Sequence, residues 1–307
     1  MIAFLRRESG QTMVMAAISM VVLLGMAGIV IDVGSWFRQQ RVSQATVDSA
    51  ALAGAQALPT DPSSARAIAS SFAARNGGSA GATFTVSSKW TPNDMITVDQ
   101  TGTGQGFFSK LFGVSTVSIH THASAITEIP TEVTAVAPIA VDVKHPMLSG
   151  PGCPCFDVPT QIPLGKKGVP GGFGLIDLDQ ADSGTAGNST VADWIANGYD
   201  GYLPTGGYYS DTGAKFTAQQ VQDSLQGRYG TDLLFPVYDK ITDQGSNATY
   251  HVLGWVSFHI TLTQANGNDG AISGYFDRVI WDGIISTTGP SNPAIPDLGV
   301  YSVALID

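Results

Sequence analysis

RRESGQTMVMAAISMVVLLGMAGIVIDVGSWFRQQRVSQATVDSAALAGAQAL, residues 6–58, is the stretch whose reading decides the fold. From Gln11 to Ile31 it carries no charge, and at ~1.5 Å per residue such a run is the length of helix that crosses a hydrocarbon core. The apolar run is too long for a signal-peptide h-region, and A-x-A patterns such as Ala55-Gln56-Ala57 lie far beyond its end, so the anchor is expected to stay. Past Asp32 the sequence keeps forming helix in mostly polar residues. Between Ser35 and Leu58 there is no proline and one glycine, Gly54, so one helix is predicted from Thr12 to Ala57, roughly 70 Å long and broken at Pro59.

The rear half of this helix has Val42, Ala45, Ser49, Leu52 and Gln56 at three-and-four spacing among Ala50, Ala51, Ala53, Gly54 and Ala55. Small residues let a second backbone come close. Two readings follow: Ala45, Asp48, Ala51, Leu52, Gly54 and Ala55 meet helices of a partner, or the helix lies on its own domain.

With 307 residues there is room for a membrane segment and one or two globular domains. Only 13% of the residues are charged, and 36 glycines with 16 prolines favour a loop-rich, mainly β exterior. A hydrophobic share of 43% argues against disorder. The net charge of −10 is uneven: residues 136–307 hold seven basic and seventeen acidic side chains, all of the latter Asp. An acidic domain is repelled by a phosphate backbone, so a nucleic-acid partner is not expected.

Along the chain, Asp61-Pro62-Ser63-Ser64 reads as a helix start, with the helix running from Ala65 to Arg75 and stopped at Asn76-Gly77-Gly78. Alternation gives strands at Ala82–Lys89, Met95–Gln100 and Ser115–Thr127, with a short helix near Phe107–Phe112. Further strands are predicted at Ile139–Val143, Phe173–Asp177, Leu233–Tyr238, Tyr250–Leu262, Gly270–Ile280 and Tyr301–Ile306, with helices at Thr190–Asn197 and Thr217–Gln226. The fold class expected is α+β: a long transmembrane and extended helix (1–58), a small α/β module (59–135), and a β-rich, sandwich-like extracytoplasmic domain (136–307).

The order charged-charged-Glu-x-Gly-Gln, carried by Arg6, Arg7, Glu8, Gly10 and Gln11, followed by an apolar run and then Asp32-Val33-Gly34, resembles the N-terminal domain of the TadG/TadE-like proteins of Flp (Tad) pilus assembly. Gln44, Asp48, Ala50, Ala51, Ala53 and Gly54 match that family's Q-x-x-x-D-x-A-A-x-A-G run. The resemblance covers about the first sixth of the chain. It implies a single-pass protein of the bacterial cytoplasmic membrane, its N-terminus in the cytoplasm and everything after Asp32 outside. It further implies a structural role in assembling or anchoring a thin pilus, without catalysis, with the lipid bilayer and other pilus-assembly membrane proteins or pilins as partners. The sequence departs from two patterns of such systems. The position where a processed pilin carries Glu, five residues after the glycine, is Met15, and no D-x-S-x-S metal motif is present. The charges flanking the span do not orient it, because Arg6 and Arg7 on one side face Arg38 and Arg41 on the other.

Candidate chemistry outside the anchor is sparse. Cys153 and Cys155 stand one residue apart in PGCPCFD; a local disulfide, free thiols and a link to a partner remain open, and two thiols fall short of a zinc site. Asp177, Asp179 and Asp182 bring three carboxylates together as a calcium loop does, although Ala181 and Asp182 break the EF-hand spacing. No cofactor is otherwise expected. His120 and His122 share a face of one strand and could begin a metal site if a third ligand came near. Asn188-Ser189-Thr190 and Asn247-Ala248-Thr249 fit the glycosylation sequon, read as chance in a bacterial chain. No nucleophile elbow, P-loop or dinucleotide fingerprint occurs. Trp194, Tyr199, Tyr202, Tyr208 and Tyr209 cluster in one Asp-rich region, which keeps an alternative in view: a membrane-tethered carbohydrate-binding or hydrolase domain.

Overall fold

A computed structural model describes residues 9–78, 81–164, 174–179, 186–244, 247–264, 270–286 and 296–306. The chain forms two compact units, one of Met1–Ile126 with Ala304–Asp307 and one of Thr127–Val303.

The first unit is built on α1 (Ser9–Ala55), a single helix without an internal proline. Its front half, from Met13 to Ile31, exposes nearly every apolar side chain and is long and apolar enough to cross a bilayer. Its rear half is instead a core element, with Val47, Ala50, Ala51 and Ala55 fully buried. After a tight turn, the Asp61 carboxylate accepts the N–H groups of Ser63 and Ser64 at 3.1 and 2.9 Å and starts α2 (Pro62–Arg75). The hydroxyl and N–H of Ser64 hold that carboxyl well below the usual carboxylate range. The buried residues of α2, Ala65, Ala69 and Ala73, recur every fourth position and make a stripe that packs on α1.

Three antiparallel strands complete this unit: β1 (Ala82–Ser87), β2 (Met95–Gln105) and β3 (Thr116–Glu128). The β1–β2 turn is fixed by Asp94, a buried carboxylate taking the N–H groups of Lys89, Trp90 and Thr91 at 2.6–2.8 Å. The segment around Phe107–Phe112 is a 3-10 turn, Ser109–Phe112. Within this unit α2 and β2 pack on α1.

The second unit contains, in chain order, β4 (Glu132–Val133), β5 (Val141–Asp142), α3 (Pro146–Ser149), β6 (Thr160–Pro163), α4 (Asn188–Asn197), β7 (Leu203–Pro204), β8 (Gly206–Tyr209), α5 (Gln219–Gly227), β9 (Asp232–Thr242), β10 (Thr249–Gln264), β11 (Ala271–Asp277), β12 (Val279–Ile280), β13 (Gly283–Ile284) and β14 (Val300–Leu305). The main sheet runs β5-β9-β10-β11-β6, with β8 on the start of β10; β5 is parallel to β9 and the other pairs are antiparallel. A small sheet runs β13-β4-β7.

Alternation along β9 sorts its side chains to two cores. Leu233, Phe235 and Val237 join Val191, Ile195, Val221 and Leu225 of the helices, whereas Leu234 and Tyr238 join Val133, Leu203, Tyr250 and Val252. Burial on both faces is why LLFPVY reads as a continuous apolar run. The unit is β-rich with mixed sheets, as expected, but helices α4 and α5 cover one face of the main sheet where a sandwich would place a second sheet. The end of β14 lies in the first unit, where the Ile306 N–H donates to the Ser124 carbonyl at 2.9 Å.

Candidate membrane and assembly interface

Asp32 ends the apolar run of α1, and its carboxylate is fully buried. Three backbone N–H groups point at it: Phe107 at 3.0–3.1 Å, Phe108 at 2.9 Å and Ser109 at 2.7 Å. The same segment is held in shape by the Ser109 hydroxyl donating to the Val114 carbonyl and by a Gly106–Ser115 backbone bond, both at 2.9 Å. One turn earlier, Gly28 is buried beneath Phe108. A Cβ there would stand 2.6 Å from the Phe108 ring, so the seat requires glycine. Sequence reading recognised Asp32 as the end of the span but not its cap, which comes from 75 residues away.

Beyond Asp32 the stem is tied to the strands by its polar side chains. Trp36 Nε1 donates to the Gln105 carbonyl at 2.9 Å, Gln39 Nε2 to Thr103 at 3.1 Å and Gln44 Nε2 to His122 at 2.6 Å. Among the described residues β1 pairs with Met95–Gln100 of β2, and the carbonyls of Thr103 and Gln105 beyond that pairing are met by α1.

The six residues read as partner-facing divide between two sides of the helix. Ala51, Gly54 and Ala55 are buried against this chain's own elements: a Cβ on Gly54 would lie 2.8 Å from the Ala65 carbonyl and from Ile96 Cδ1, and 2.9 Å from the Ala69 methyl. Their small side chains admit α2, as in the reading in which the helix lies on its own domain. Ala45 is exposed, and Asp48 and Leu52 are half-buried. Ala45 continues an exposed stripe, Gly34, Phe37, Arg38, Arg41 and Val42, at helical three-and-four spacing. A cleft of about 280 Å3 between Trp36, Phe37, Gln40 and the Val117–His120 stretch of β3 borders this stripe.

The remaining candidates have local roles. Cys153 and Cys155 are joined in a disulfide, and their N–H groups donate to the carbonyls of Gly150 and Met147 at 2.9 and 2.8 Å. Asp177 is buried, with Asp179 next to it; Asp182 lies outside the described residues. Burial first, then Asp179 and Asp211, pushes the Asp177 carboxyl up to about 6. A cation beside this group, Lys215, donates to Asp211 and to the Ala186 carbonyl. Among the described residues, no three His, Cys, Asp or Glu side chains are grouped to hold a metal. His120 bonds to Thr101 at 3.0 Å and His122 to Asp99 at 2.7 Å, each engaged separately.

Within the aromatic cluster, Tyr208 is a core residue donating to the Pro204 carbonyl at 2.6 Å, and Trp194 packs edge-on against Tyr199. Only Tyr202 and Tyr209 are exposed. A pocket of about 510 Å3 in the second unit is walled by Asp142, Lys144, His145, Gln161 and Tyr238. His145 serves there as a helix cap: its Nδ1 accepts the Met147 N–H at 3.2 Å, which puts its proton on Nε2, donating to the Gln161 carbonyl at 3.0 Å.

No curated protein and no solved structure matches the chain. Residues 10–57, the stretch that supplies the apolar span, the Asp32 seat and the stem, match the model of the family described as putative Flp pilus-assembly TadE/G-like.

Proposed function

We propose that this chain is a single-pass structural component of Flp pilus assembly in the cytoplasmic membrane, with its N-terminus inside and both folded units outside. The observation that carries this reading is the coincidence of the TadE/G-like match with one helix that is lipid-compatible in front and core-forming behind. A helix continuous across Asp32 couples whatever it meets in the membrane to the folded unit on its rear half. The partner-facing surface is the open stripe Gly34, Phe37, Arg38, Arg41, Val42 and Ala45, extended by Asp48 and Leu52. Its mix of apolar and basic side chains suits a second amphipathic helix carrying acidic positions. The protein acts as a scaffold and performs no catalysis.

Photo-crosslinking residues placed at Phe37, Val42 and Ala45 of the full-length protein in native membranes test this. Crosslinks to other pilus-assembly membrane proteins or pilins are expected from all three positions. An equivalent probe at Thr83, exposed on β1, serves as the control. Labelling no stronger from the stripe than from Thr83 would refute the assignment of the surface.

A further inference from the structure

The segment Gly106–Val114, GFFSKLFGV, presents an apolar surface that the fold does not use. Leu111 is 82% exposed, Phe107 68% and Phe112 64%, while the polar Ser109 is turned inward. A soluble surface seldom gathers side chains of this size on one short turn. The position of the turn matters as much as its composition. Phe108 rests on Gly28, within the apolar run of α1, and the three N–H groups at the start of the turn close over Asp32, the first charge after that run. The exposed aromatics are therefore continuous with the lipid-compatible surface of the helix, and the carboxylate that would otherwise meet lipid is shielded by backbone donors. The one charged side chain of the turn, Lys110, is a cation on a long stem. Such side chains reach from an apolar depth to lipid phosphates.

We propose that Phe107, Leu111 and Phe112 form a membrane wedge, inserted at the boundary between acyl chains and headgroups of the leaflet from which α1 emerges. The occupant of this surface is lipid. The wedge fixes the depth at which the span ends and holds the first unit against the bilayer, a second attachment beside α1. The inference rests on α1 spanning the membrane, and its test separates the two.

Single cysteines placed at Leu111, at Ala17 within the span and at Thr83 on β1 would carry an environment-sensitive fluorophore in the full-length protein, reconstituted into phosphatidylcholine–phosphatidylglycerol vesicles. The native cysteines are disulfide-bonded and stay unlabelled without reductant. The label at Leu111, like that at Ala17, is expected to lose most of its emission to brominated lipids and to be shielded from aqueous iodide, with the reverse at Thr83. Quenching by lipid at Ala17 with iodide access at Leu111 would overturn the wedge and leave the anchor standing. Absence of lipid quenching at Ala17 would overturn both. A Leu111 label shielded from both quenchers would mean that protein, such as a second copy of the chain, covers the turn, and would equally overturn the lipid assignment.

Discussion

Replacing Asp177 by Asn should change how the second unit responds to pH. In the folded chain this carboxyl is pushed up to about 6 from 3.8, by burial first and then by Asp179 and Asp211. A carboxyl whose pKa is raised on folding binds its proton more tightly in the native state. Its contribution is therefore most favourable in acid, declines as the pH rises from about 3.8 through about 6, and is level above that. The interval corresponds to about 3 kcal/mol of stability withheld at neutral pH. Lys215 does not offset the charge, because it is committed to Asp211 and the Ala186 carbonyl. Asn keeps the shape of the neutral acid and still donates toward Asp179. The variant should match the wild type near pH 4 and melt roughly 6–12 °C higher near pH 8, given the usual slope for a unit of this size. Thermal unfolding of the full-length protein in micelles, followed by the fluorescence of Trp194, Trp255 and Trp281, reads this out. Asp277, also raised chiefly by burial, acts with the same sign in both proteins, so their difference isolates Asp177. Melting curves that stay parallel across this pH range would refute the assignment.

Other perturbations have equally definite outcomes. Gly54→Ala gains about 1 kcal/mol of helix propensity but forces its methyl against the Ala65 carbonyl, Ile96 and Ala69, at about 1–3 kcal/mol. A net loss is expected, and Gly54→Leu should leave the first unit open to protease in membranes; undiminished resistance would contradict the α1–α2 packing. Phe258→Ala empties a fully buried site between Phe235 and Phe276 and should lower stability by about 3–5 kcal/mol, measured by urea unfolding. Reducing Cys153–Cys155 opens a loop of only three residues, so the expected loss is at most about 1.6 kcal/mol, a fall of roughly 3–6 °C in melting temperature. The local N–H bonds to Gly150 and Met147 remain to hold the segment.

The long helix was legible because its evidence is contiguous: no charge from Gln11 to Ile31 and no proline before Pro59. The start of α2 was legible for the same reason, since Asp61 and the two serines it caps are neighbours. Strands β9 and β10 announced themselves through apolar runs. What stayed hidden depended on which distant partner a local pattern would find. The faces of Ala51, Gly54 and Ala55 suit any close helix, and nothing in them specifies that α2, with its buried Ala65, Ala69 and Ala73, is the one they meet. The seat of Phe108 on Gly28 and the capping of Asp32 join positions far apart in the chain, and no periodicity encodes such contacts. The same holds for Tyr208, whose burial comes from the sheet around it and not from the tyrosine-rich text in which it sits.

The bond from Ile306 to Ser124 makes the second unit an insertion, entered through β3 and left through β14. A chain synthesised from its N-terminus therefore displays α1 and most of the first sheet long before the strand that borders β3 exists. Until then β3 has an unpaired edge, the kind of template to which other extended segments adhere. Completion of the first unit thus reports that everything before β14 has been made, and a pull on the second unit is divided between two covalent connections instead of one.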